Sequence, residues 1–455
     1  CRILMINLNW VIEMKKNLEF DYKREPSRDI LCIDCKSFYA SCEAVERGLD
    51  PMKVKLVVMS YPSDSHTERG SGLILASSPM AKKAYGISNV SRARDLPFPY
   101  PKDLVIAPPR MKLYMDVNYK INQIYRTFVS DEDIHVYSVD ETFLDVTDSL
   151  RLFNCKTAYD LARKIQIKVF RETGIYTTVG IGDNPLLAKL ALDNEAKYNP
   201  DMKAEWRYKN VSNTVWKIDP ITEFWGIGER MALRLRRLGI NSIYELAHSN
   251  YYYLKKELGV HGAQLYAHAW GIDRTFLGES YTPKSKSIGN SQVLPRDYTS
   301  KKELEIVVRE MADQVATRLR KANVKTSTVK LWIGYSLSYI DDFGKTGFGK
   351  QIKIPPTNNS QEIADVLVGI LDDYYVGQVV RNIGVNCTKL ENNHTQQLSL
   401  FEDVVKADDF NEVVDEVRRK FGFTKLVYAS SLLKGGRAIE RSSLVGGHAG
   451  GMDGL

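Results

Sequence analysis

Histidine is scarce in this chain, seven among 455 residues, and the six cysteines (Cys1, Cys32, Cys35, Cys42, Cys155, Cys387) are scattered without pairing or clustering. Zinc sites are built from such residues in groups, and disulfide frameworks from paired cysteines, so both are disfavoured. Cys32 and Cys35 do form C-x-x-C, but in a strand-to-turn segment rather than at the helix start of a redox pair. Reduced thiols in a cytoplasmic protein are the plain reading. A long apolar run is also lacking: the opening CRILMINLNWV falls far short of the ~20 residues a membrane span needs and has no basic flank before it. Met14-Lys-Lys-Asn reads as a natural start, with residues 1–13 upstream of it, and the fold is read without them. Nor is there a large excess of either charge. A net +7 and a pI near 8.8 are a weak hint of a polyanionic partner, so local clustering decides.

What is present is ordinary globular material, 44% hydrophobic and 26% charged, over a length that calls for three or four domains. From Asp29 the pattern runs strand (ILCID), helix (FYASCEAVERG), strand (KLVVMS), polar loop, strand (GLILAS) and short helix. Ser77 or Ser78 caps that helix, Pro79 opens it and Gly86 ends it. A helix through Tyr125 precedes HVYSVDETFLDV, read as one central strand. A helix from about Thr157 to Thr173 shows Ala158, Leu161, Ile165 and Val169 on one face. Strand TTVGIG and helix LLAKLALDNEAK follow. The expectation is an α+β sheet covered on one side.

Near Asp219 the texture turns to short helices and Gly-rich turns, then the linker YTPKSKSIG. Beyond it the order is strand, long helix, strand, strand, helix, strand, a ferredoxin-like split β-α-β-β-α-β arrangement. After Glu391 come a polar stretch with QLSLF, a helix near Phe410 to Lys420 and a flexible Gly-rich tail.

Asp34 ends an apolar strand, a place for a site acid, but taken alone it reads first as a cap for the helix that follows, and Asp140 and Glu141 tilt the balance. Asp140 and Glu141 are adjacent, and strict alternation puts neighbours on opposite faces, so both reach one site only if the chain turns there. The alternative is one buried structural acid and one exposed acid. Three acids from two strand ends, with little histidine, describe an all-oxygen site for Mg²⁺ or Mn²⁺. Two such ions about 3.5–4 Å apart suit phosphoryl transfer and neutralise adjacent carboxylates.

Asp34-Cys-Lys-Ser-Phe38-Tyr39-Ala-Ser-Cys-Glu43 and Ser138-Val-Asp140-Glu141-Thr-Phe143-Leu-Asp145 resemble the two catalytic motifs of the Y-family translesion DNA polymerases, and the similarity runs in order from Asp29 to Leu390. The carboxy-terminal extension is most similar to the UmuC-type branch of Gram-positive bacteria, including UvrX-like UV-damage repair proteins. The resemblance implies a multidomain α+β right hand. Residues 29–218 form the palm with fingers inserted at about 50–108, 219–280 a helical thumb, 281–287 a linker, 288–391 the little finger and 392–455 a clamp-binding segment and tail, after an extension at 1–28.

The resemblance also implies residue roles. Asp34, Asp140 and Glu141 match the metal-binding catalytic carboxylates, with two Mg²⁺ (Mn²⁺ as substitute), and Cys35 offers its backbone carbonyl. Tyr39 matches a steric gate against the ribose 2′-hydroxyl, beside Phe38. Lys82 or Lys83 on the short fingers helix faces the triphosphate, and counting back from Gly86 favours Lys83. Met80 stands where the family often has tyrosine. Lys197 matches a second triphosphate lysine, or is a solvated helix-end residue. Gly226-Ile227-Gly228 followed by Arg230, Arg234, Arg236 and Arg237 resembles a helix-hairpin-helix that grips DNA phosphates. Lys284, Lys286, Arg296, Lys330, Lys353 and Arg381 form a DNA track or ordinary surface charge. Gln397-Leu398-Ser399-Leu400-Phe401 reads as the bacterial sliding-clamp pentapeptide.

The implied function is primer-template-directed translesion synthesis from dNTPs in an SOS-type damage response, without proofreading. A recombinase filament or small accessory protein is a further implied partner. Two alternatives are a non-catalytic DNA- and clamp-binding factor of the same fold, and another palm-type nucleotidyltransferase such as a dinucleotide cyclase.

Overall fold

The structure, a computed structural model, describes residues 20–59, 73–88, 91–279, 282–283, 285–392, 404–445 and 448–449. The chain forms two compact units that divide between residues 280 and 281. Among the described residues no helix is long and apolar enough to cross a membrane, and all five described cysteines are free thiols.

The first unit opens with β1 (Ile30–Cys35), apolar up to Asp34, and α1 (Phe38–Glu46). Next come β2 (Lys55–Met59), β3 (Ile74–Ser77), α2 (Pro79–Tyr85) and β4 (Leu104–Ala107). Ser78 caps α2 by accepting from the Ala81 amide, and Gly86 closes it in the left-handed region. Then follow α3 (Met111–Tyr125), β5 (Ile134–Val136), β6 (Glu141–Asp145), α4 (Ala158–Thr173), β7 (Thr177–Gly182), α5 (Pro185–Ala191) and β8 (Lys203–Trp206). The main sheet runs β5-β6-β1-β7-β8, and β3-β2-β4 form a smaller one.

Two expectations are corrected here. HVYSVDETFLDV is not one strand: it is the hairpin β5–β6, folded where the amides of Tyr137 and Ser138 both donate to the Glu141 carbonyl (3.0 Å each). The central strand is β1. The main sheet is also covered on both faces, since β6 and β7 are buried at every position.

Gly180 and Gly182 explain the second cover. A Cβ at Gly180 would lie 2.0 Å from the Ala188 carbonyl oxygen, and one at Gly182 2.4 Å from the Ala188 nitrogen. Helix α5 therefore rests directly on the backbone of β7. Gly180→Ala is expected to lift it and cost about 3 kcal/mol of stability, read as a lower denaturant midpoint. An unchanged midpoint would refute this packing account. After Ala191 the helix continues as a π-helical turn, Leu192–Ala196.

The remainder of the first unit is helical: α6 (Glu229–Arg237), α7 (Ile243–Ala247), α8 (Tyr251–Leu258) and α9 (Val260–Ala269). One apolar core joins these helices to α5 and to Ile30, Cys32 and Phe143 of the sheet.

The second unit has the expected succession: β9 (Ile288–Tyr298), α10 (Lys301–Lys321), β10 (Val324–Tyr335), β11 (Gly347–Thr357), α11 (Ser360–Tyr374) and β12 (Val380–Asn392). The strand order is β11-β10-β12-β9, with each neighbouring pair antiparallel. Each strand-helix-strand unit is therefore split by another strand. Val329, Leu331 and Ile333 of β10 are buried in one core with α10 and α11, leaving the other sheet face to solvent.

The helix expected near Phe410 to Lys420 is present, and the Gly-rich end beyond residue 445 lies, apart from residues 448–449, outside the described residues. Helix α12 (Val404–Phe421) and the segment through residue 445 are tied to this unit. Arg418 pairs with Asp313 at 2.7 Å with both side chains buried, Arg320 with Asp415 at 2.6 Å, and Arg441 with Glu310 at 3.5 Å. Tyr298 donates to the Gly435 carbonyl at 3.2 Å.

Candidate active site

The site is prepared on the α5-facing side of the main sheet. On β1 that face carries Ile30, Cys32 and then Asp34, and the register sets Asp34 directly opposite Glu141 of β6 and Thr178 of β7. Asp140 precedes β6 in the hairpin bend, which answers the alternation problem: it is off the strand and free of its pleat. The Cys35 amide donates to the Asp140 carbonyl at 2.8 Å, and the Ser138 hydroxyl donates to Asp140 Oδ1 at 2.7 Å. Asp34 and Asp140 thereby line one pocket of about 530 Å³.

Glu141 does not line that pocket. Lys189 Nζ holds its Oε1 at 2.5 Å, and Cys32 Sγ donates to the same oxygen at 3.1 Å. Both partners are buried. Among the described residues no three His, Cys, Asp or Glu side chains stand close enough together to hold a metal ion. In this arrangement Asp34 and Asp140 line the pocket, while the Glu141 carboxylate is paired with Lys189.

The pocket's electrostatics favour a cation. Burial, then the carboxylates of Asp140 and Glu141, push the Asp34 carboxyl up to about 7 against the opposing pull of Lys197. Lys197 Nζ lies 3.8 Å from Asp34 and 2.7 Å from Asp193. Burial pulls the Lys197 ammonium down, but Asp34 and Asp193 outweigh it. Asp34, Asp140 and the Cys35 carbonyl are oxygen donors of the kind hard dications take, and their mutual repulsion is what a cation relieves.

The opposite wall is basic and aromatic. Lys82 of α2 and Lys36 line the pocket, and burial lowers both. Lys83, which counting from Gly86 favours, is exposed and does not line it. Phe38 is buried in the wall. Tyr39 lies beside it, stacked on Tyr114 at 4.4 Å between centroids and 15° between planes. Tyr114 in turn donates to buried Glu43 at 2.8 Å, and Arg110 grips the same carboxylate with two bonds of 2.9 and 2.7 Å. The Tyr39 ring is thus backed by a fixed, fully bonded support.

Sequence reasoning missed Lys36, Lys189, Tyr114 and Tyr198, the last of which also lines the pocket. Lys189, Asp193 and Lys197 do carry a readable signal, alternating charge at i,i+4 along one helix.

A second pocket, of about 600 Å³, is lined by Lys197 and Tyr198 together with Gly226, Ile227 and Gly228. Gly226 has φ +97°, which the turn before α6 requires. Arg230, Arg234, Arg236 and Arg237 are all exposed. In the second unit Lys286, Lys330 and Lys353 are exposed, whereas Arg296 pairs with Glu303 at 2.7 Å and Arg381 with Asp297 at 3.3 Å. Lys284 and the pentapeptide Gln397, Leu398, Ser399, Leu400 and Phe401 lie outside the described residues.

Family comparison decides what this arrangement is. Residues 33–193 match the impB/mucB/samB family, and residues 285–400 the C-terminal domain of that family. A protein named for UV-damage repair, UvrX of Bacillus subtilis (strain 168), is 39% identical over 94% of this chain and 99% of its own length. The chain is a Y-family DNA polymerase of the impB/mucB/samB group. DNA polymerase IV 2 of the same Bacillus strain is 35% identical, over 92% of this polymerase and 98% of that protein. Among solved structures, a Y-family DNA polymerase chimera of Dbh and Dpo4 shares the fold, with a TM-score of 0.62 at 24% identity over 80% of this polymerase and 100% of that chain. The multidomain α+β architecture is that of the family.

Proposed function

We propose that this polymerase extends a primer 3′-OH along damaged template DNA by attack on the α-phosphate of a dNTP, in the cytoplasm and within an SOS-type damage response. The reading rests on one observation: Asp34, Asp140, Tyr39 and the lysines 36, 82 and 197 line a single pocket. In it, residues 29–218 serve as palm with fingers at about 50–108, 219–280 as thumb and 288–391 as little finger.

Asp34, Asp140 and the Cys35 carbonyl would hold Mg²⁺, or Mn²⁺ in its place, with Glu141 joining once it leaves Lys189. Two such ions, when bound, lower the pKa of the primer hydroxyl and hold the triphosphate. The chain's own side chains do the rest. Lys36, Lys82 and Lys197 bind the triphosphate oxygens, and Tyr39, braced by Tyr114, occupies the volume of a ribose 2′-hydroxyl. The Gly226–Gly228 turn and the arginines after it take the DNA backbone, a contact that weakens steeply with salt.

Primer extension by the full chain across one defined lesion, with dNTPs and Mg²⁺, tests the reading, with and without a recombinase filament or a small accessory protein. Extension halted at the lesion in every condition would reject bypass, and no extension even on intact template would reject synthesis.

Gln397–Phe401 is the proposed attachment to the bacterial sliding clamp, with Leu400 and Phe401 as apolar anchors. The double change Leu400→Ala and Phe401→Ala is expected to weaken clamp binding at least about 100-fold in a pull-down or titration. Undiminished binding would reject that role.

A further inference from the structure

The solvent face of the second unit's sheet carries a feature that the polymerase chemistry does not use. Trp332 points out of β10, away from the core that holds Leu331 and Ile333, and keeps 41% of its surface exposed. In register it stands between two glycines, Gly349 on β11 and Gly384 on β12, with Gly334 two residues on.

These glycines define how the indole lies. A Cβ at Gly334 would come within 2.7 Å of Trp332 Cη2, one at Gly349 within 3.3 Å of Cδ1, and one at Gly384 within 3.5 Å of Cε3. The three atoms sit on three different edges of the ring system. A ring standing upright on the sheet would bring only one edge that close. The indole therefore lies flat over bare backbone, one face on the glycines and the other turned to solvent. An apolar ring seeking burial would use the core that its neighbours one strand position away enter; this one is bedded where its outer face stays open.

The surroundings are those of a polyanion. Lys330 lies beside the ring on β10, and Lys353 extends the same face on β11. From Thr328 to Gly334, and at the positions paired with them on the flanking strands, this face holds no carboxylate.

We propose that Trp332 is a stacking platform for an unpaired base of the DNA template, with Lys330 and Lys353 on the adjoining phosphates. A flat exposed indole gains most from a base whose faces are free, because in a duplex those faces are already covered by neighbouring bases. Lysines without carboxylates draw the backbone to the same place. This inference rests on the reading of the chain as a DNA polymerase and adds to it a site for single-stranded template.

The test titrates the full chain with a fluorescent oligo(dT) and, separately, with a blunt duplex of matched charge at one fixed salt concentration. Trp332→Ala is expected to weaken oligo(dT) binding about tenfold and duplex binding less than twofold, while Trp332→Phe retains most of the single-strand affinity. Intrinsic fluorescence gives a second readout: oligo(dT) is expected to quench tryptophan emission in the wild type, and most of that quenching to vanish in Trp332→Phe. Should Trp332→Ala fail to fold, the quenching comparison decides. Unchanged oligo(dT) affinity, equal losses on both DNAs, or equal quenching in wild type and Trp332→Phe would each overturn the platform. Asp140→Ala, in the other unit, tests catalysis separately, so an active polymerase with an indifferent Trp332 sinks this inference alone.

Discussion

Asp140→Ala is expected to lower primer extension at least about 10³-fold without lowering the thermal midpoint. Asp140 supplies one of the two carboxylates that line the pocket, and Glu141, once free of Lys189, adds its own carboxylate rather than standing in for that of Asp140. Its removal also takes away one of the charges that oppose ionisation of Asp34. In the cation-free protein the substitution therefore relieves repulsion instead of creating a defect. The pairing of lost synthesis with undiminished stability is what separates a reacting group from a structural one. Extension within tenfold of wild type would defeat the catalytic assignment and revive the alternative of a DNA- and clamp-binding factor that does no chemistry.

Tyr39→Ala is expected to reduce discrimination against ribonucleotides on the order of 100-fold, chiefly by letting rNTPs in. Sugar selection of this kind is exclusion by occupied volume, so it depends on a ring that cannot swing aside. Here the ring is stacked on Tyr114, whose hydroxyl is fixed to Glu43, which Arg110 fixes in turn. Tyr39→Phe should retain selection, since the support acts on the ring and not on the hydroxyl. The measurement is single-nucleotide insertion with matched dNTP and rNTP. If Tyr39→Ala selects as well as wild type, the gate lies elsewhere.

Much of the architecture was legible because burial leaves a periodic trace. The helix at 158–173 and the split sheet of the second unit follow from apolar spacing alone. Asp34 was legible only together with Asp140 and Glu141, since at the end of an apolar strand it reads by itself as a helix cap. The hairpin inside HVYSVDETFLDV was not, because its bend, Tyr137 to Asp140, contains no glycine, proline or asparagine. It is made by backbone bonds to Glu141 and by the Ser138 hydroxyl, and the β-forming residues on either side hide it. The direction of the Glu141 carboxylate was hidden for another reason. Adjacent acids say that two charges are close, whereas which cation each one meets depends on a helix more than forty residues later. Docking of the tail escaped notice because Arg418, Arg441 and Asp415, read singly, look like surface charge, and only the fold reveals Asp313, Glu310 and Arg320 as their partners.

The anchored tail changes what a clamp would hold. The pentapeptide lies in the eleven residues 393–403, between the end of β12 and the start of α12, and both of those elements belong to the same unit. A segment whose two flanking elements belong to one unit can reach no farther from them than half its extended length, which for eleven residues is roughly 20 Å. A ring protein that took this segment would be kept within that distance of the second unit, with far less slack than a free end of equal length gives.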